Sequence, residues 1–224
     1  MIQVVAPRVK SPRFPAATIL LILSIIIAFF LEVVYLSSAE IVDLFAFSTN
    51  ALIAGKLWTL VTALYVHAST AHLLGNMFFL FIFGAALESE VGGKKMLGLF
   101  FLGGVLTFLL GVPFYAPNAV LVGASAAIFT LSSAIMLINP TRLTIIILPV
   151  GLVAILFFLL NIYYVSTGIG GNVAYISHVI GFLIGIPFGI ALSKKWLRNL
   201  GITLLMLAVF AVVVFILIRF LLPS

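Results

Sequence analysis

The chain has 224 residues, 65% of them hydrophobic and 7% charged, with a formal net charge of +6 and a mean hydropathy of +1.42. A water-soluble domain of this length carries several times more charge on its surface, so the composition excludes one and leaves an integral membrane protein. The 11 basic residues come in ones to threes between apolar runs, a topology signal rather than a phosphate-tracking surface, so nucleic acid is excluded as a partner; the absence of cysteine removes disulfides, a thiolate nucleophile and thiolate metal sites.

Seven apolar runs are long enough, or nearly so, to span a hydrocarbon core of about 30 Å: residues 16–36, 72–87, 96–112, 121–138, 143–163, 173–192 and 200–222. They predict an all-α, polytopic membrane helix bundle. The first run exceeds a signal-peptide core of about 7–15 residues, which makes it an uncleaved first helix. Residues 37–71 are too long for a simple connector. Within them Leu57, Leu60, Val61, Leu64 and Tyr65 recur at helical spacing beside Trp58, which predicts a helix lying in or near the membrane interface. Later connections are short, with Pro113, Pro117 and Pro140 marking turns.

Basic residues orient the bundle. With the N-terminus inside, Arg8, Lys10, Arg13, Lys94, Lys95, Arg142, Lys194, Lys195 and Arg198 fall inside, and only Lys56 and Arg219 fall outside. Nine against two is the positive-inside pattern, and it places the C-terminus outside. The absence of a targeting segment favours a prokaryotic plasma membrane.

Polar residues inside these runs need a reason, because an unpaired polar group in a bilayer is costly. His72 and Asn76 lie in the outer half of the second run, at i and i+4 and so on one helix face. Ser125 is the fifth residue of the fourth run, roughly 6 Å along it, and His178 lies roughly 9 Å into the sixth, at about 1.5 Å per residue. His178, Gly181, Gly185 and Gly189 share a face whose small residues admit a neighbouring backbone. Close contact between runs four and six then brings Ser125 and His178 together.

The chemistry follows from what is available at that level. A serine hydroxyl becomes a nucleophile when a base within hydrogen-bond reach takes its proton, and His178 is that base. No Asp or Glu follows Glu90, so the pair predicts a Ser–His dyad without an acid; Phe129, one turn beyond Ser125, is placed to pack against the imidazole. The Ser125 backbone N–H near a helix start, the Asn76 amide and the His72 ring are candidate donors to an oxyanion. A zinc site built from His67, His72 and His178 lacks both a His-Glu-x-x-His run and a carboxylate at that depth, so neither metal nor cofactor is expected.

These motifs together resemble the rhomboid intramembrane serine proteases. The carriers are Trp58 ahead of His67, His72-Leu73-Leu74-Gly75-Asn76 in the second helix, Gly123-Ala124-Ser125-Ala126 in the fourth, and Ser177-His178 with Gly181 and Gly185 in the sixth. The resemblance covers roughly residues 58–192. It implies a six-helix catalytic core over residues 16–192, with 37–71 as its membrane-embedded or interfacial first loop. Residues 1–15 become a cytoplasmic segment and 193–224 an extra C-terminal transmembrane helix. It also implies a water-filled cavity opening to the outer face and cleavage of transmembrane protein substrates in or near their spans.

By the same resemblance Ser125 is the nucleophile and His178 the base, with His72, Asn76, Gly123 and Ala124 in the oxyanion and substrate site. Phe129, Gly181, Gly185, Trp58 and His67 are supporting residues. Three positions depart from the family pattern: Ala126 where Gly often follows the serine, Phe129 where an aromatic hydroxyl is common, and Thr59 where Arg typically follows Trp58. The alternative is a non-proteolytic rhomboid-like protein that binds transmembrane helices. No residue pattern sets an oligomeric state.

Overall fold

The computed structural model describes residues 14–167 and 175–221. Arg8, Lys10, Arg13 and the expected start of the sixth run at Val173 lie outside the described residues. The described residues form ten α-helices: α1 (Ala16–Tyr35), α2 (Ser38–Phe45), α3 (Thr49–Ile53), α4 (Thr59–Thr62), α5 (Thr70–Val91), α6 (Gly93–Gly111), α7 (Ser125–Ile138), α8 (Val150–Thr167), α9 (Tyr175–Leu192) and α10 (Trp196–Leu221). Among the described residues the only β pairings are two isolated bridges, Phe47 with Leu121 and Leu143 with Pro149. Among the described residues six helices (α1, α5, α6, α8, α9 and α10) are long and apolar enough to cross a membrane, which makes this a polytopic helical membrane protein.

The remaining apolar helix, α7, is the centre of the molecule. Of its 14 residues, all those from Ala126 to Leu137 are buried, against α5, α6, α8, α9 and α10. At about 1.5 Å per residue it is roughly 21 Å long, short of the hydrocarbon core, so one of its ends lies within the membrane. The expectation that Ser125 sits five residues into a helix is corrected: it is the first residue of α7. Residues 121–124 are held out of the helix by the Leu121–Phe47 bridge and by Gly123, whose φ of +107° breaks a right-handed helix.

Residues 37–71 also differ from the expected single interfacial helix, forming three short helices, α2 to α4, with only four residues in α4. The apolar spacing there serves contacts in several directions: Ala63, Leu64 and Val66 are buried, whereas Leu57, Trp58 and Val61 are exposed. Backbone bonds from Phe47 to Leu121 and from Asn50 to Pro117 tie this segment to the strand of chain leading into α7.

Polar groups pin the end of the bundle where α5 and α7 finish. Pro15 gives α1 no side-chain cap; Glu88 of α5 instead accepts from Ala17 N (3.0 Å), Thr18 N (2.7 Å) and Thr18 Oγ1 (2.7 Å), satisfying orphan donors of the first turn. Asn199 of α10 donates to the carbonyls of Leu137 and Ile138, both at 2.8 Å, and so caps α7. Otherwise α10 is loosely attached, with Asn199 and Thr203 its buried residues, and its exposed apolar surface fits lipid contact.

Candidate active site

Helices α5, α7 and α9 all begin at one face of the bundle, so their first turns converge there. Lys94, Lys95, Arg142, Lys194, Lys195 and Arg198 follow the ends of these helices at the opposite face.

What brings α7 and α9 together is the absence of side chains. A Cβ at Gly181 would run into the Ala126 carbonyl, one at Gly185 into Thr130 O and Ser133 Oγ, and one at Gly189 would lie 2.9 Å from Leu137 Cβ. Thr130 Oγ1 donates across the contact to Gly181 O at 2.9 Å. The glycine ladder read in the sequence is this backbone-to-backbone seam.

At the top of the seam, Ser125 Oγ lies 2.7 Å from His178 Nε2. The imidazole is 8% exposed. Phe129 stacks on it at 4.8 Å between centroids with an 18° interplanar angle, and Tyr175 meets it edge-on at 5.8 Å. The other ring nitrogen, Nδ1, lies 2.6 Å from Oδ1 of Asn161 on α8. Sequence reasoning passed over Asn161, although a lone asparagine in an apolar run meets the same criterion that singled out Asn76. It also passed over Tyr115, whose hydroxyl accepts from Ser177 N at 2.9 Å and lies 3.0 Å from Ser177 Oγ, steadying the start of α9.

His72 and Asn76 reach the same place from α5. A Cβ added to Gly123 would meet His72 Cε1 at 2.8 Å, His72 Nε2 at 3.0 Å and Asn76 Nδ2 at 3.4 Å. Glycine is therefore required there on two counts, backbone conformation and room for the two side chains. Asn76 Nδ2 is buried without a hydrogen-bond partner. Gly123 N donates to Ala63 O at 2.8 Å, and the first backbone N–H groups of α7, starting at Ser125, lack intrahelical acceptors. A buried amide donor and an imidazole thus meet at Gly123, two residues before the helix start at Ser125, an arrangement suited to stabilising negative charge.

The supporting residues divide. His67 packs edge-on against His72 at 5.2 Å, with its Nδ1 2.8 Å from Tyr65 O. Trp58 stays away from the pair, donating from Nε1 to Leu44 O at 2.8 Å within the first loop. The methyl group of Ala126 is buried in the seam. Among the described residues no group of three metal-binding side chains is assembled.

The family model described as the rhomboid domain matches residues 54–195, more than half of the chain. Rhomboid-like protease 1 of Toxoplasma gondii is 28% identical over 151 residues, covering 63% of this chain and 49% of that protein. Rhomboid protease GlpG of Haemophilus influenzae is 24% identical over 139 residues, covering 62% of this chain and 71% of its own length. RHOMBOID-like protein 6, mitochondrial, of Arabidopsis thaliana is 31% identical over 166 residues, covering 71% of this chain and 52% of that protein. The chain thus spans about half the length of the first and third. With Ser125, His178, His72 and Asn76 all inside the matched region, the chain belongs to the rhomboid family.

Proposed function

We propose that this protein is an intramembrane serine endopeptidase. The observation that carries the reading is the 2.7 Å contact between Ser125 Oγ and the buried imidazole of His178 at Nε2. His178 Nε2 takes the hydroxyl proton as Oγ bonds to the substrate carbonyl carbon, giving a tetrahedral oxyanion. That oxyanion is met by Asn76 Nδ2, the His72 ring and the first N–H groups of α7. His178 then gives its proton to the leaving amine as the C–N bond breaks, leaving an acyl-enzyme on Ser125. Water, deprotonated by the same imidazole, hydrolyses the ester and restores Ser125.

The substrate class follows from the setting. A serine at the first residue of a short, membrane-embedded helix suits a peptide bond in or near a transmembrane span whose helix is locally unwound. The orientation we propose puts the N-terminus and the basic face in the cytoplasm and opens the site outward. Residues 16–192 form the catalytic core and 193–224 the additional helix. A family member that only binds transmembrane helices has no use for a serine hydroxyl held against a buried imidazole, so the contact favours hydrolysis.

The test is cleavage in liposomes of a single-span model substrate with small, helix-destabilising residues near its outer end. Wild type should release fragments whose new N-terminus, read by mass spectrometry, lies in or beside the span, and Ser125→Ala should release none. Equal cleavage by Ser125→Ala would overturn the proposal.

A further inference from the structure

We propose that Asn161 of α8 is a positioning residue for His178: it selects the ring tautomer able to act as a base and fixes the ring's direction. This rests on the serine-hydrolase reading above and adds a third member that the dyad lacks.

The assignment comes from hydrogen-bond bookkeeping. Asn161 Nδ2 lies 2.8 Å from the Phe157 carbonyl oxygen, which can only accept, so the amide nitrogen must face it. That leaves Oδ1, also only an acceptor, facing His178 Nδ1 at 2.6 Å. Nδ1 must therefore carry the proton. A neutral imidazole has one N–H, so Nε2 presents its lone pair to Ser125 Oγ, 2.7 Å away. Flipping the amide or moving the ring proton would set two acceptors face to face in a buried place. Asn161 is 4% exposed, and water offers little relief there.

Helix α8 restrains the ring in a second way. Phe157, one turn before Asn161, stacks on Phe129 at 4.3 Å, and Phe129 stacks on His178. One residue of α8 thus backs the ring beneath the imidazole and holds the Asn161 amide through its carbonyl. Rotation of the imidazole would break the Asn161 bond and the stack together. During proton transfer the positive charge forming on the ring meets the negative end of the amide dipole. An amide does this without placing a second ionisable group in the bilayer, which accounts for asparagine where soluble hydrolases use an acid.

Two measurements test this. In the liposome assay, Asn161→Leu should lower kcat at least about 10-fold, a part of the 10²–10⁴ that a positioned acid–base group contributes, with KM changed less than about threefold. Asn161→Asp keeps an acceptor oxygen toward Nδ1 whether ionised or not, and should recover most of that loss. Independently of activity, nitrogen NMR of protein labelled in histidine should show the residue whose signals vanish in His178→Ala protonated at Nδ1 and bare at Nε2. In Asn161→Leu that preference should disappear.

Wild-type kcat in Asn161→Leu, or a wild-type His178 protonated at Nε2, overturns the proposal. If Asn161→Leu fails to fold, the wild-type tautomer and the activity of Asn161→Asp decide it. Loss of all Ser125-dependent cleavage in wild type would instead refute the protease reading while leaving the tautomer result standing.

Discussion

Gly181→Ala applies a small, local force to the site. The added Cβ would sit 3.0 Å from the Ala126 carbonyl carbon and 3.3 Å from its Cα, closer still to the oxygen, where ordinary contact begins near 3.4 Å. Both partners are helix backbone, so neither can swing aside as a flexible side chain would. Relief requires α7 and α9 to part by about 1 Å at this level, because a close-packed interior passes the strain on rather than absorbing it. Ala126 adjoins Ser125, and Gly181 lies one turn beyond His178, so the Ser125–His178 contact of 2.7 Å opens with the seam. Lengthened by about 1 Å, the contact lies beyond the roughly 2.6–3.2 Å reach of a general base, which should cost about 10²-fold in kcat. The assay is turnover of the model substrate in liposomes, with Gly98→Ala as control. Nothing lies within 4 Å of a Cβ at Gly98, so that variant should keep its activity and gain about 0.5–1 kcal/mol of stability from helix preference. Wild-type kcat in Gly181→Ala would refute the claim that this seam sets the site geometry.

Asn76→Ala, which removes the unpartnered buried donor, should lower kcat by about 10²–10³ while leaving the melting temperature near wild type. Glu88→Ala strips three hydrogen bonds from the start of α1; it should destabilise by about 1.5–3 kcal/mol, seen as earlier thermal unfolding, with little change in kcat on the folded protein. Burial holds the His67 imidazole down to about 4 from an ordinary 6.5. The unfolded chain therefore binds more protons between those values, so this contribution to stability is present above pH 6.5 and is lost as pH falls toward 4. Replacing His67 by Gln should reduce the difference in melting temperature between pH 7 and pH 5, values spanning part of that range.

Much of the site was legible because bilayer physics makes polar residues conspicuous. His72, Asn76, Ser125 and His178 stood out against apolar runs, and the four-residue glycine spacing of α9 named the helix pair that joins them. Asn161 was equally conspicuous but was passed over because the search for a third group looked for acids. The starts of helices were harder to read. Residues 121–124 are apolar enough to continue α7, yet the Phe47–Leu121 bridge and the backbone of Gly123 hold them out of the helix, a tertiary effect that local hydropathy does not carry. The first loop failed for the same reason: helical spacing at Leu57–Tyr65 reflects contacts made by several short segments, and only Thr59–Thr62 is regular helix there. The role of Glu88 is not local either: its partners lie 70 and 71 positions away and meet it only in three dimensions.

In the proposed mechanism His178 activates Ser125. The most direct test is labelling of the purified protein, reconstituted in lipid, by a fluorescent fluorophosphonate, which reacts with activated serines and needs no knowledge of the substrate. Wild type should label at Ser125, confirmed by peptide mapping, and folded Ser125→Ala and His178→Ala should both stay dark. Labelling that persists at wild-type rate in His178→Ala would contradict the account, since the serine would then owe its reactivity to some group other than this imidazole.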